Sequence, residues 1–165
     1  MNILLIIILT LFAIFSRLIP HPPNFTPLLA IALYSGISFK NKTLFVIPLT
    51  AMIVSDVFLG YHSSILWVYL SLLIIFYIGY ISFKKYSFSN LILLSIASSL
   101  MFFTFTNFGV WIIGYPKTFE GILACYIAAI PFFHNTLFST ILFSSIFHFS
   151  YKYSISVFGT KKKII

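Results

Sequence analysis

The sequence predicts an all-α integral membrane protein, a bundle of about six transmembrane helices forming a single transmembrane domain over residues 1–165. Three observations carry that expectation. The chain is 61% hydrophobic and only 7% charged, against about 25% charge in a soluble domain. Its apolar runs are continuous rather than alternating, which favours helices over barrel strands. Its ten Lys and Arg residues stand in short clusters between those runs, a pattern of membrane-protein loops rather than of a nucleic-acid surface. The same composition excludes an ordinary soluble globular protein and a disordered chain, since disorder needs low hydrophobicity.

The first span covers residues 3–19. It has the hydrophobicity of a secretory signal, but no Lys or Arg precedes it. Ser16-Arg17-Leu18-Ile19-Pro20 also lacks an A-x-A cleavage pattern, so a retained helix is expected. The second span, 25–39, contains Pro27 near its start and is short for a hydrocarbon core about 30 Å thick. It is expected to be tilted, packed inside the bundle, or joined to an ordered loop. Spans three and four cover 43–59 and 64–83, separated by Gly60-Tyr61-His62. The fifth covers 89–106 and is followed by Thr106-Asn107-Phe108-Gly109-Val110-Trp111. The last apolar stretch, 119–151, would be about 50 Å long as a helix, too long for one crossing. Pro131 lies inside it and removes a ladder hydrogen bond. A short helix or re-entrant segment before Pro131 and a true crossing after His134 are therefore expected.

Charge placement predicts orientation. Lys40 and Lys42 follow span two, Lys84 and Lys85 follow span four, and Lys152 and Lys161 to Lys163 follow span six. The positive-inside rule puts these eight on the cytoplasmic side, with both termini inside (N-in/C-in). Arg17 and Lys117 alone fall outside. Arg17, His21, Asn24, Asp56, Tyr61, His62, Asn107, Trp111, Tyr115 and Glu120 then gather at the outer helix ends. An aromatic-rich cup with a few polar anchors suits a small organic molecule.

Asp56 stands out, because a carboxylate near a helix centre costs about 2.5–3.5 kcal/mol to insert. It is expected to be a substrate or proton contact, a structural ion pair with Arg17, or a helix-end residue reaching water. Arg17 either snorkels to the interface or offers bidentate donors to a carboxylate or phosphate. Pro20-His21-Pro22-Pro23-Asn24-Phe25-Thr26-Pro27 holds four of the seven prolines, so it is expected to be an ordered outer loop, either a wall or lid or a spacer. Asn107 offers a polar edge. Trp111 offers a stacking face or an interfacial anchor. His134-Asn135-Thr136 follows Pro131 and is placed to satisfy carbonyls it frees.

Catalytic signals are absent. The sequence contains no phosphate-cradling loop, no Gly-rich nucleotide fingerprint and no H-E-x-x-H motif. The four histidines lack metal-ligand spacing. Cys125, the sole cysteine, leaves no intramolecular disulfide and reads as a packed helix residue. No cofactor, metal or catalytic residue is expected.

Arg17-Leu-Ile-Pro-His-Pro-Pro-Asn-Phe-Thr-Pro27, Ser55-Asp-Val-Phe-Leu-Gly-Tyr-His62, Thr106-Asn-Phe-Gly-Val-Trp111 and Ala128-Ala-Ile-Pro-Phe-Phe-His-Asn-Thr-Leu137 resemble a bacterial family of uncharacterised transport proteins. That family is in turn similar to the substrate-binding S components of energy-coupling-factor (ECF) vitamin transporters. The resemblance implies six helices in the bacterial inner membrane. It also implies high-affinity vitamin binding at the outer face, and a membrane coupling subunit with two ATPases as partners. It implies a site lined by Arg17, His21, Asn24, Asp56, Tyr61, His62, Asn107, Trp111 and Asn135. Two features depart from the pattern. Leu137 is followed by Phe138-Ser139-Thr140 rather than a Gly-Asp pair, and Ala13 has no partner at A-x-x-x-A spacing in span one. A substrate-binding transport subunit for a small organic micronutrient is thus the leading expectation. A non-catalytic scaffold subunit and a small lipid-modifying enzyme are the alternatives.

Overall fold

The structure, a computed structural model, describes residues 3–38, 42–82 and 87–158. Six α-helices follow in order: α1 (Ile3–Leu18), α2 (Leu28–Ser38), α3 (Val46–Leu59), α4 (Ile65–Ser82), α5 (Phe88–Gly114) and α6 (Phe119–Phe158). A short 3-10 turn, Lys42–Phe45, leads into α3. There is no strand among the described residues. By length and composition, the helical stretches Ile65–Ser82, Phe88–Gly114 and Phe119–Tyr153 can cross a membrane, whereas α1, α2 and α3 are shorter apolar helices. Lys40, Lys84, Lys85 and Lys161 to Lys163, on which much of the expected orientation rests, lie outside the described residues.

Helix ends follow local chemistry. Pro20 disfavours helical geometry in the residue before it, and α1 ends two residues earlier, at Leu18. Pro48 sits in the first turn of α3, where the N–H it lacks would have had no helical partner. Gly60 closes α3 with φ 90°, its N–H donating to the Asp56 carbonyl at 2.9 Å. Ser87 caps α5, its hydroxyl accepting from the Asn90 N–H at 3.2 Å.

The centre of the bundle is α2. Every residue from Pro27 to Ile37 is buried, as expected of a helix apolar all round. Its 11 residues span only about 16 Å, and of the three expectations for this short span the structure shows two, packing inside the bundle and a join to an ordered loop. It lies against α4 at a reciprocal glycine contact. A Cβ on Gly36 would strike the Phe76 carbonyl oxygen, and one on Gly79 would strike the Leu33 carbonyl oxygen. Glycines allow this backbone approach where any side chain would part the helices.

Two sequence expectations are corrected. α5 does not end at Thr106 but runs to Gly114, because nothing breaks a helix before Pro116. The Thr106 to Trp111 motif is therefore helical. α6 is one continuous helix of 40 residues through Pro131, with neither a break nor a re-entrant segment before that residue. One missing N–H removes one rung of a long ladder, and hydrogen bonds on either side, with packing on α5, hold the register. Tyr126 Oη donates to the Thr104 carbonyl at 2.7 Å, and the Phe103 and Phe133 rings lie 4.9 Å apart.

Candidate functional site

The ends of α1, α3 and α5, the starts of α2 and α4, and the middle of α6 enclose one cavity of about 430 Å³. Four of its lining side chains are phenylalanines in two copies of one short pattern. Phe102-Phe103-Thr104-Phe105-Thr106 on α5 and Phe132-Phe133-His134-Asn135-Thr136 on α6 both read Phe-Phe-x-x-Thr, and both phenylalanines and the threonine of each copy face the cavity. The helical period explains this. Positions one turn apart share a face, so each threonine stands over the first phenylalanine of its own copy. Thr106 Oγ1 donates to the Phe102 carbonyl at 2.7 Å, and Thr136 Oγ1 to the Phe132 carbonyl at 2.9 Å.

Arg17, His21, Asn24, His62 and Asn107, all expected from sequence, line this cavity. Asn107 Nδ2 donates to the Phe103 carbonyl at 2.7 Å. His21 Nδ1 lies 2.6 Å from the Ile19 carbonyl. A carbonyl only accepts, so that nitrogen carries the proton, and whenever the ring is neutral Nε2 is an acceptor. His62 Nδ1 meets Ser64 Oγ at 3.1 Å.

Asp56 stands behind Arg17 rather than on the wall. Its side chain is 1% exposed and its Oδ1 lies 2.8 Å from Arg17 Nη1. The Tyr69 hydroxyl donates to Oδ2 at 2.9 Å. Arg17 Nη1 also donates to Ser55 Oγ and to the Met52 carbonyl. Of the sequence expectations for Asp56, the structural ion pair is the one the geometry displays, and its burial leaves it out of reach of water.

Tyr61, Trp111 and Asn135 lie outside the cavity lining. Tyr61 is 71% exposed beyond the end of α3. Trp111, near the end of α5, braces the α5–α6 turn. Its indole N–H donates to the Pro116 carbonyl at 3.0 Å, and Lys117 Nζ sits 5.4 Å from its ring while donating to the Trp111 carbonyl at 2.9 Å. Asn135 holds the proline-rich loop, donating from Nδ2 to the Pro23 carbonyl at 3.0 Å. The Ser139 hydroxyl reaches the Asn24 carbonyl at 3.5 Å. Asn24 itself adopts φ 62°, a conformation asparagine tolerates better than most residues. The loop is thus a wall pinned to α6. Tyr115 and Glu120 also stand off the cavity.

Sequence reasoning missed Met52, Ser64, Val68, Val110 and the Phe-Phe-x-x-Thr pairs. The repeated pattern was the available signal, hidden because single phenylalanines are ordinary in a chain with 21 of them. Cys125 is buried, its thiol 3.4 Å from the Asn107 carbonyl, as a packed helix residue should be. No group of His, Cys, Asp or Glu among the described residues could hold a metal ion.

The chain belongs to a family described as a family of unknown function (DUF6580), whose profile matches residues 1–159. Comparison with curated proteins and with solved structures gave no match.

Proposed function

We propose that this chain is the substrate-binding part of a bacterial inner-membrane uptake system for a small organic micronutrient, a vitamin or precursor. The observation that carries the reading is the cavity itself. It is about 430 Å³ in volume, walled by paired phenylalanines, and edged by Arg17, His21, Asn24, His62 and Asn107. Small-molecule sites share this plan of mostly apolar walls with a few fixed polar groups.

Orientation follows from charge. With both termini cytoplasmic, the lysine clusters face inward and the cavity opens outward. The described Lys42 and Lys152 support this, since they stand on the segments leading away from the cavity. Capture then occurs at the outer end, under the wall of the proline-rich loop, and release follows from rocking of helices about the site. The chain has no phosphate-cradling loop, so in this reading any ATP-driven step belongs to a separate membrane coupling subunit and its ATPases.

Mass spectrometry of small molecules released from gently purified protein tests the reading. The expected result is one small organic molecule in near-stoichiometric amount, lost when Val110→Trp fills the cavity. Retention of that molecule by Val110→Trp and by Asn107→Leu together would place its site elsewhere and overturn the assignment.

A further inference from the structure

We infer that the cavity takes an uncharged molecule with a flat apolar body that presents N–H or O–H groups, an inference that rests on the binding reading above. The first ground is charge. Arg17 is the only Lys, Arg, Asp or Glu among the lining residues, and it is already paired with Asp56 at 2.8 Å. Tyr69 occupies the other carboxylate oxygen. The pair has no net charge. An anion entering here would shed its hydration without meeting an uncompensated cation, and a cation would meet no lining carboxylate. This departs from one of the two sequence expectations for Arg17, bidentate binding of a carboxylate or phosphate.

The second ground is the direction of the lining hydrogen bonds. A threonine hydroxyl has one proton. Thr106 and Thr136 each donate it to a carbonyl of their own helix, leaving their oxygens as acceptors. Asn107 turns its nitrogen to Phe103, leaving its carbonyl oxygen as an acceptor. His21 donates from Nδ1 to Ile19, leaving Nε2 as an acceptor in the neutral ring. Four lining groups thus offer acceptors, and a ligand satisfies them only by donating. The phenylalanine pairs on α5 and α6 supply flat apolar walls for a ring between these acceptors.

Four probes that share a benzene ring separate charge from donor capacity: benzamide, N,N-dimethylbenzamide, benzoate and benzamidinium. Each is titrated against the full chain in lipid nanodiscs by saturation-transfer NMR, with empty nanodiscs as reference. Benzamide is expected to bind tightest, about tenfold over benzoate and benzamidinium, as one well-matched polar contact allows. Thr106→Val is expected to narrow the ratio of benzamide to N,N-dimethylbenzamide affinity. Tightest binding by benzoate or benzamidinium, or equal binding of the two amides, overturns the inference while leaving the cavity a binding site. Binding of none of the four overturns the binding reading along with it.

Discussion

Arg17 on α1 and Asp56 on α3 form an ion pair of 2.8 Å in which the carboxylate is almost wholly buried. Two short helices are joined there by charge at the edge of the cavity. Losing one partner strands the other. Asp56→Ala is expected to cost about 3–5 kcal/mol of stability, and Arg17→Met a similar amount. The double change Arg17→Met with Asp56→Met, which removes both charges, should cost far less than the sum. Unfolding in mixed detergent micelles, run as a double-mutant cycle, measures the difference. Additive losses would show that the two side chains act independently.

The α2–α4 contact gives a second expectation. Gly36 and Gly79 each face a backbone carbonyl of the opposite helix, which cannot swing aside as a side chain can. Gly79→Ala should therefore destabilise by about 1–3 kcal/mol or more through overpacking. Gly114→Ala is the control, since nothing lies within 4 Å of a Cβ there. Thermal unfolding of the two variants side by side checks it, and equal midpoints would show that the helices can separate at no cost.

Asn135 leads to a third. Its amide is the bond from α6 to the Pro23 carbonyl, so Asn135→Leu, at a residue outside the lining, should free the proline-rich loop that walls one side of the cavity. Amide exchange at Phe25 and Thr26, whose N–H groups donate to Pro22 and Asn24 within the loop, should quicken about tenfold if roughly 1.4 kcal/mol is lost. Unchanged exchange would show that the loop holds its own shape. Asn24→Gly should be tolerated at φ 62°, whereas Asn24→Val should not, because a β-branched residue is a steric outlier there.

The helices were largely legible because apolar length and proline position are one-dimensional signals. The cluster at Pro20 to Pro27 and the glycine at 60 both mark real ends. The site was legible only in part. His21, Asn24, His62 and Asn107 are polar residues in an apolar chain, so they stand out wherever they fold. Phe102, Phe133 and Met52 do not, because membership of the wall is decided by which face of a helix meets its neighbours. Asn135 and Trp111 stand off the cavity for the converse reason. Each is polar and set in a distinctive string, yet each spends its hydrogen bond on a turn or loop backbone. Pro131 misled because a proline's local cost was weighed without the packing of α6 on α5.

Asn107 and Trp111 lie one turn apart on α5, and the structure gives them separate work. Asn107 lines the cavity. Trp111 ties the α5–α6 turn through Pro116 and Lys117. If the cavity is the binding site proposed above, Asn107→Leu should weaken retention of its ligand about tenfold, the worth of one polar contact. Its stability should change little, because the bond it gives up is a local one to its own helix. Trp111→Ala should do the reverse. It removes the indole donor and the ring beneath Lys117, so it should lower thermal stability by about 1–3 kcal/mol while leaving retention intact. Ligand retention by mass spectrometry and thermal unfolding, measured on both variants, give four numbers that must cross. If Trp111→Ala instead abolished retention at unchanged stability, the indole would belong to the site and the cavity wall would extend to the end of α5.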